Sequence, residues 1–287
     1  MNLLISGISG FIGKSLYNSL SQNKDFKIII ISRKSSDLRF IKNSEIIFWD
    51  DPLIEEKIIS LKVDVIINLI TNYGINNDTE EIIHTNLLLP LKLLKYAIKA
   101  KISYFLNIGT PLHQFVSEYA LSKNQFADWL KYYSNHIKVV NVLPEYIYGP
   151  GDKNGKLFSS LLKSFSENVE SFSLSQGDQK RDFIFVEDLI SALNVILLSL
   201  SQFKTNYIEI PVGTGITVSI REFAEKLRSI SCAKTILKFG DVVKRINEMS
   251  EQKADISIIS TLGWKPKFDL ENGLIETWKL KKQEEHE

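Results

Sequence analysis

Short, continuous runs of branched and aromatic residues recur along the first half of this chain. They are Asn2–Ser6, Lys27–Ser32, Glu45–Trp49, Val63–Leu69, Tyr104–Ile108 and Lys138–Leu143. Each is apolar throughout instead of at every second position, which is the pattern of strands buried on both faces. Segments with helical periodicity separate them: Ile12–Gln22, Leu53–Leu61, Glu80–Ala100 and Ser117–Tyr133. Strand and helix in alternation constrain the chain to an α/β fold, a doubly wound parallel sheet with helices on both faces.

The rhythm loosens after Tyr148-Gly149-Pro150-Gly151. Phe158–Ser166 reads as a helix, Arg181–Val186 as a short strand and Asp188–Leu200 as a helix. Val218-Ser219-Ile220-Arg221-Glu222 opens another helix, with Ser219 as N-cap and Glu222 at the reciprocal capping position. The Lys/Glu-rich end from Lys279 to Glu287 reads as a solvated or frayed tail. This divides the chain into residues 1–150, a nucleotide-binding domain, and 151–287, mainly a smaller second domain with some segments returning to the first.

The 287 residues carry a net charge of +1, from 35 basic and 34 acidic side chains, which asks for neither a nucleic-acid nor a membrane partner. Cys232 is the only cysteine, so neither an intrachain disulfide nor a thiolate metal cluster can form. His84, His113, His136 and His286 are scattered and make no metal-ligand pattern. With no leader-like segment and no apolar run long enough for a bilayer, a cytoplasmic location is expected.

The glycine-rich turn Gly7-Ile8-Ser9-Gly10-Phe11-Ile12-Gly13 follows the first strand and leads into a helix. Glycine there permits a tight turn and lets backbone N–H groups approach a pyrophosphate at the helix N-terminus. The other reading is a purely structural strand-to-helix turn. The second strand ends in Ser32-Arg33-Lys34, where an NAD site would often carry an acidic residue. A hydroxyl and a guanidinium suit a 2′-phosphate, so NADP(H) is expected, with NAD(H) the alternative. Asp50, after the third strand, is placed for an adenine edge or for a turn.

Tyr119 and Lys123 stand four apart on a predicted helix and so share a face. An ammonium beside a phenol favours the phenolate and prepares it for proton exchange near neutral pH. Thr110, just past the strand Tyr104–Ile108, sits where ligands bind in such sheets, and its hydroxyl can address the same substrate oxygen. An exposed polar helix face and a turn threonine are the plainer alternatives.

In this order the Gly7, Gly10, Gly13 turn, Thr110 and Tyr119-x-x-x-Lys123 resemble the extended short-chain dehydrogenase/reductases that act on nucleotide sugars. Tyr148-Gly149-Pro150-Gly151-Asp152, Arg181-Asp182-Phe183-Ile184-Phe185-Val186-Glu187-Asp188, Lys244-Arg245-Ile246-Asn247-Glu248 and Gly263-Trp264-Lys265-Pro266 extend the likeness over nearly the whole chain. Within the family it is similar to the CDP-abequose and CDP-paratose synthases, NADPH-dependent reductases of a CDP-4-keto-dideoxyhexose. The resemblance implies a Rossmann-type sheet with a smaller C-terminal substrate domain. It implies that Thr110, Tyr119 and Lys123 are catalytic, with Tyr119 and Lys123 also meeting the cofactor. It also implies that Arg181 and Arg245 clamp a substrate diphosphate and that Asn86 lies near the substrate. The product would feed a surface polysaccharide such as an O-antigen of lipopolysaccharide.

Pro111-Leu112 stands where sugar 4,6-dehydratases of the family carry an acid–base carboxylate pair, which argues against dehydration. Leu143 stands where the family has an arginine. A 4-epimerase that keeps NAD bound and a non-catalytic nucleotide sensor are the rival readings. The resemblance further implies a homodimer through the helices around 80–100 and 117–133, with Leu87, Leu88, Leu91, Leu94, Phe126 and Trp129 available for the contact.

Overall fold

The computed structural model describes residues 1–75, 78–152, 157–243 and 248–284. The first part runs β1 (Asn2–Ser6), α1 (Phe11–Leu20), β2 (Lys27–Ser32), β3 (Glu45–Phe48), α2 (Ile54–Ser60), β4 (Val65–Asn68), α3 (Thr79–Ile83), α4 (Leu89–Lys99), β5 (Tyr104–Ile108), α5 (Glu118–Tyr133) and β6 (Lys138–Pro144). There follow β7 (Tyr146–Tyr148), α6 (Leu157–Ser166), β8 (Ser171–Leu174), β9 (Lys180–Phe185), α7 (Val186–Leu198), β10 (Tyr207–Val212), β11 (Thr217–Ser219), α8 (Ile220–Ser231), β12 (Ile236–Phe239), β13 (Glu251–Gln252), α9 (Ser257–Thr261) and α10 (Leu270–Glu284).

Two compact units emerge. The first comprises Met1–Leu143 with Leu193–Ile210, and the second Pro144–Ala192 with Pro211–Glu287. The central sheet has seven strands in the order β10-β6-β5-β4-β1-β2-β3, the doubly wound parallel arrangement expected from the alternating runs. Its inner strands are buried on both faces, so Leu3, Leu4, Ile5, Ile29, Ile30 and Ile31 are all inaccessible to solvent. On one face, Ile54 and Ile58 of α2, Leu93 and Leu94 of α4 and Phe126 and Leu130 of α5 pack into a single core. Phe105 and Phe126 meet edge to face at 6.2 Å. Leu94 and Phe126, read from the sequence as available to a dimer contact, are thus fully committed to their own subunit. Leu88 and Trp129 remain exposed, joined by Tyr132.

The predicted helix Glu80–Ala100 is not continuous. A π-helical turn, His84–Leu88, separates α3 from α4. The reason is Pro90: it has no N–H to direct at the Asn86 carbonyl, and its ring would crowd that carbonyl in a regular helix. The wider turn absorbs the conflict, and the Leu89 N–H reaches back to the His84 carbonyl instead.

A buried polar ladder crosses the sheet at the carboxy ends of its strands. Ser6, Asn68, Asn107 and Asn141 are in register on β1, β4, β5 and β6. The Ser6 hydroxyl donates to Asn68 Oδ1, Asn68 Nδ2 to Asn107 Oδ1, and Asn107 Nδ2 to Asn141 Oδ1, each at 2.8 Å. Asn141 Nδ2 then reaches the Tyr207 hydroxyl at 3.3 Å and the Glu209 carboxylate at 3.4 Å on β10. Every amide thus points the same way, and the chain of donors ends on a carboxylate.

In the second unit β11, β9, β13 and β7 form a small sheet, with β12 paired to β8 beside it. An aromatic cluster fills its centre: Phe183 stacks on Phe223 at 4.0 Å, and Tyr148 meets both Phe158 and Phe223 edge on. Ser219 and Glu222 form the predicted capping box at the start of α8. The C-terminal segment departs from expectation in part. Helix α10 runs through Lys279 to Glu284, so this part of the expected tail is helical, with Lys279 and Gln283 solvated; residues 285–287 lie outside the described residues. Buried Leu274 and Thr277 anchor the first part of that helix.

Candidate active site

The glycine turn is shaped by close backbone approach. Gly7 has φ +78°, and a Cβ there would stand 2.6 Å from the Leu69 carbonyl carbon. A Cβ on Gly13 would lie 2.5 Å from the carbonyl oxygens of both Gly7 and Ile8. Helix α1 starts at Gly10 with no side-chain cap and no acidic residue in its first turn. The N–H groups from Phe11 and Ile12 onward therefore begin a helix whose positive end has no carboxylate of its own. The residues fit a dinucleotide pyrophosphate.

At the end of β2, Ser32 is buried and Arg33 exposed. Asp50, expected near an adenine edge, makes a 2.9 Å ion pair with Lys34, and both side chains are exposed. That hydrogen bond holds the Asp50 carboxyl below the usual range.

Thr110 is almost fully buried just past β5, and its Oγ1 accepts the Leu112 N–H at 3.3 Å. The hydroxyl proton is then left to donate elsewhere. His113 caps the short turn that follows, its Nδ1 accepting from the Phe115 N–H at 3.4 Å. Ser117 caps α5 by accepting the Ala120 N–H, which sets Tyr119 in the first turn. Lys123, one turn on, is 2% exposed and donates to the Ile70 carbonyl at 3.3 Å. Among the described residues no carboxylate pairs with it. Burial alone pushes its pKa down to about 7.

Asn86 occupies the π turn and is fully buried. Its Oδ1 accepts the Asn72 N–H at 2.7 Å, and its Nδ2 donates to the Asn72 carbonyl at 2.8 Å and to Ser122 Oγ at 3.0 Å. Ser122 in turn donates to the Tyr119 carbonyl at 2.9 Å. Sequence reasoning placed Asn86 beside the substrate; the structure shows its amide engaged with the loop after β4. That loop carries Tyr73, whose ring lies 5.0 Å from the Tyr119 ring at 37°. The sequence reading passed over Tyr73, although a loop at the carboxy end of a parallel strand was itself a signal.

In the second unit Arg181 is 1% exposed. It donates to the Tyr146 hydroxyl at 3.0 Å, the Lys180 carbonyl at 2.7 Å and the Glu248 carboxylate at 2.7 Å. Its neighbour Asp182 accepts from the N–H groups of Thr214, Gly215 and Ala254, tying three segments together. Glu145 is buried on Gln252, and desolvation with the nearby Asp182 charge pushes it up to about 8. Arg245 lies outside the described residues. Among those described, no three His, Cys, Asp or Glu side chains group to hold a metal, and no helix is long and apolar enough to cross a membrane.

Known proteins share this architecture and chain length. CDP-abequose synthase of Salmonella typhimurium is 32% identical over 96% of this chain and 97% of its own length. GDP-L-colitose synthase of Yersinia pseudotuberculosis is 24% identical over 96% of each. Among solved structures, the UDP-glucuronic acid 4-epimerase of Bacillus cereus, in complex with UDP-glucuronic acid and NAD, superposes with a TM-score of 0.83 at 23% identity, covering 99% of both chains. The description of the NAD dependent epimerase/dehydratase family matches residues 3–208, most of the chain, and with it the glycine turn, Thr110, Tyr119 and Lys123, so this chain belongs to that family.

Proposed function

We propose that this protein reduces the C4 ketone of a nucleotide-activated 4-keto-deoxyhexose with NADPH, in deoxysugar synthesis for a surface polysaccharide. The observation that carries the reading is the pairing on one capped helix of Tyr119 with a buried Lys123, one strand end away from Thr110. The full-length likeness to CDP-abequose synthase supports the substrate class.

The glycine turn and the start of α1 would hold the cofactor pyrophosphate, and Ser32 and Arg33 its 2′-phosphate. When bound, the reduced nicotinamide supplies the hydride. Tyr119 donates its phenolic proton to the carbonyl oxygen, which becomes the hydroxyl. Thr110 donates a hydrogen bond to that oxygen and orients it. Lys123, buried with no carboxylate beside it among the described residues, would hold the nicotinamide ribose in addition to the Ile70 carbonyl, and its ammonium would stabilise the phenolate left on Tyr119. In the second unit Arg181, with Arg245, would bind the diphosphate. Exposed Leu88, Trp129 and Tyr132 support a homodimer in which the helices bearing them pair.

The test follows NADPH absorbance at 340 nm with CDP-, dTDP- and GDP-4-keto-deoxy sugars. Stoichiometric oxidation with one of them is expected, and Tyr119→Phe should lower kcat by about 10²- to 10⁴-fold while cofactor affinity holds. The likeness to 4-epimerases favours a second reading, an epimerase that retains NAD. Absence of net NADPH oxidation, with NAD released on denaturation, would select it.

A further inference from the structure

We propose that Tyr73 is a positioning residue for Tyr119: its ring, presented by a loop clamped at Asn72, fixes the direction in which the Tyr119 phenol points. This rests on Tyr119 as the proton donor.

The loop after β4 is held unusually firmly for a connection. Asn86 grips the Asn72 peptide at both its N–H and its carbonyl. The Asn72 side chain closes a turn onto the Gly74 N–H at 2.9 Å. Gly74 has φ +74°, and a Cβ there would press to 2.7 Å from Ile82 Cδ1. Tyr73 follows directly on the Asn72 peptide that Asn86 holds and precedes the Gly74 N–H that closes back onto Asn72, so its backbone is referenced to Asn86.

The same buried amide holds the other side. Asn86 Nδ2 reaches Ser122 Oγ, and Ser122 binds the Tyr119 carbonyl. One side chain therefore references both tyrosines to a common origin, and their rings touch at 5.0 Å. A phenol in the first turn of a helix ordinarily samples more than one rotamer. An aromatic contact of this kind biases such a choice by about two- to tenfold. Proton donation needs the phenol oriented toward one substrate oxygen, and misplacement costs rate more than binding.

The experiment compares Tyr73→Phe, which keeps the ring, with Tyr73→Leu, which removes it. Protein labelled with ¹³C at the tyrosine Cζ is observed by NMR, and the Tyr119 signal is assigned by its loss in Tyr119→Phe. The Tyr119 signal should move in Tyr73→Leu and stay at its wild-type position in Tyr73→Phe. With a 4-keto sugar nucleotide that the wild type turns over, kcat should fall about tenfold in Tyr73→Leu, with KM within about twofold and kcat restored by phenylalanine. A Tyr119 signal unmoved in Tyr73→Leu overturns the proposal. So does a Tyr73→Phe enzyme as slow as Tyr73→Leu, since the hydroxyl would then be the active part. If Tyr73→Leu does not fold, Tyr73→Met takes its place. Wild-type protein inert on every sugar nucleotide overturns the reductase reading instead, and the NMR comparison still decides whether Tyr73 orients Tyr119.

Discussion

Replacing Asn107 by valine removes one rung from the ladder across the sheet. Asn107 is fully buried, accepts from Asn68 and donates to Asn141. Its loss strands Asn68 Nδ2 and Asn141 Oδ1 away from water. Each of the two stranded groups costs about 1–3 kcal/mol, and the added methyls return about 1, so the single change should cost about 1–5 kcal/mol. Asn68→Val strands Asn107 Oδ1, leaves Ser6 Oγ only a 3.5 Å contact to the Ile67 carbonyl and takes the 3.5 Å acceptor from the Ile70 N–H, and should cost about as much. The double variant strands Asn141 Oδ1 and leaves Ser6 Oγ with a 3.5 Å contact to the Ile67 carbonyl. With two valines it should cost about 0–4 kcal/mol, not the sum of the two, leaving a coupling of about 2–6 kcal/mol between neighbouring rungs. Urea unfolding followed by circular dichroism, with the fluorescence of Trp49 and Trp129, measures all four corners of the cycle. Additivity within about 0.5 kcal/mol would refute the reasoning, because each amide would then have found its own substitute partner.

Lys123→Met should abolish turnover yet raise the melting temperature. The folded lysine protonates only below about 7 against an ordinary 10.5, so its burial penalty is complete below pH 7 and fades as pH rises toward 10.5. A melting-temperature gain that did not shrink over that window would contradict this. Gly13→Ala forces a Cβ to 2.5 Å from backbone oxygens and should weaken NADPH binding more than about tenfold by calorimetry, with a lower melting temperature. Glu145 has its folded pKa raised from 4.5 to about 8, so it contributes stability at low pH that is lost between those values. Glu145→Gln should flatten that part of the stability–pH curve, measured by urea titrations at several pH values.

The strands β1, β2 and β5 coincide with runs visible in the sequence because burial on both faces makes them mostly apolar, with Ser6 and Asn107 among the buried polar positions near their ends. In the second unit β9 was legible as the run Arg181–Val186, whereas β8 and β12 were hidden for the opposite reason. Ile236–Phe239 is exposed or half-buried throughout, and Ser171–Leu174 is short and half polar. Pro211 and Glu209 mask β10 at the sheet edge. Glu80–Ala100 was read as one uninterrupted helix, and Pro90, the signal for its irregular turn, was passed over. Tyr119, Lys123 and the glycines could be read because their spacing is local. The ladder could not, since positions 6, 68, 107 and 141 meet only through strand register. Two partners of Arg181, Tyr146 and Glu248, likewise come from distant segments.

The π turn has a consequence for how this helix can change. An α-helix advances each residue by about 100°. A wide turn carries one residue more than a regular one, so α3 and α4 are rotated against each other by roughly one such step. Ile82 on one side and Leu93, Leu94 and Ala97 on the other all face inward, with Asn86 between them turned to the loop. Deleting a single residue from His84–Leu88 would turn the wide turn into a regular one and leave the side chains on both sides in phase, whereas straightening the turn at constant length would rotate every side chain before it off its target. The wide turn is what lets this segment carry its extra residue.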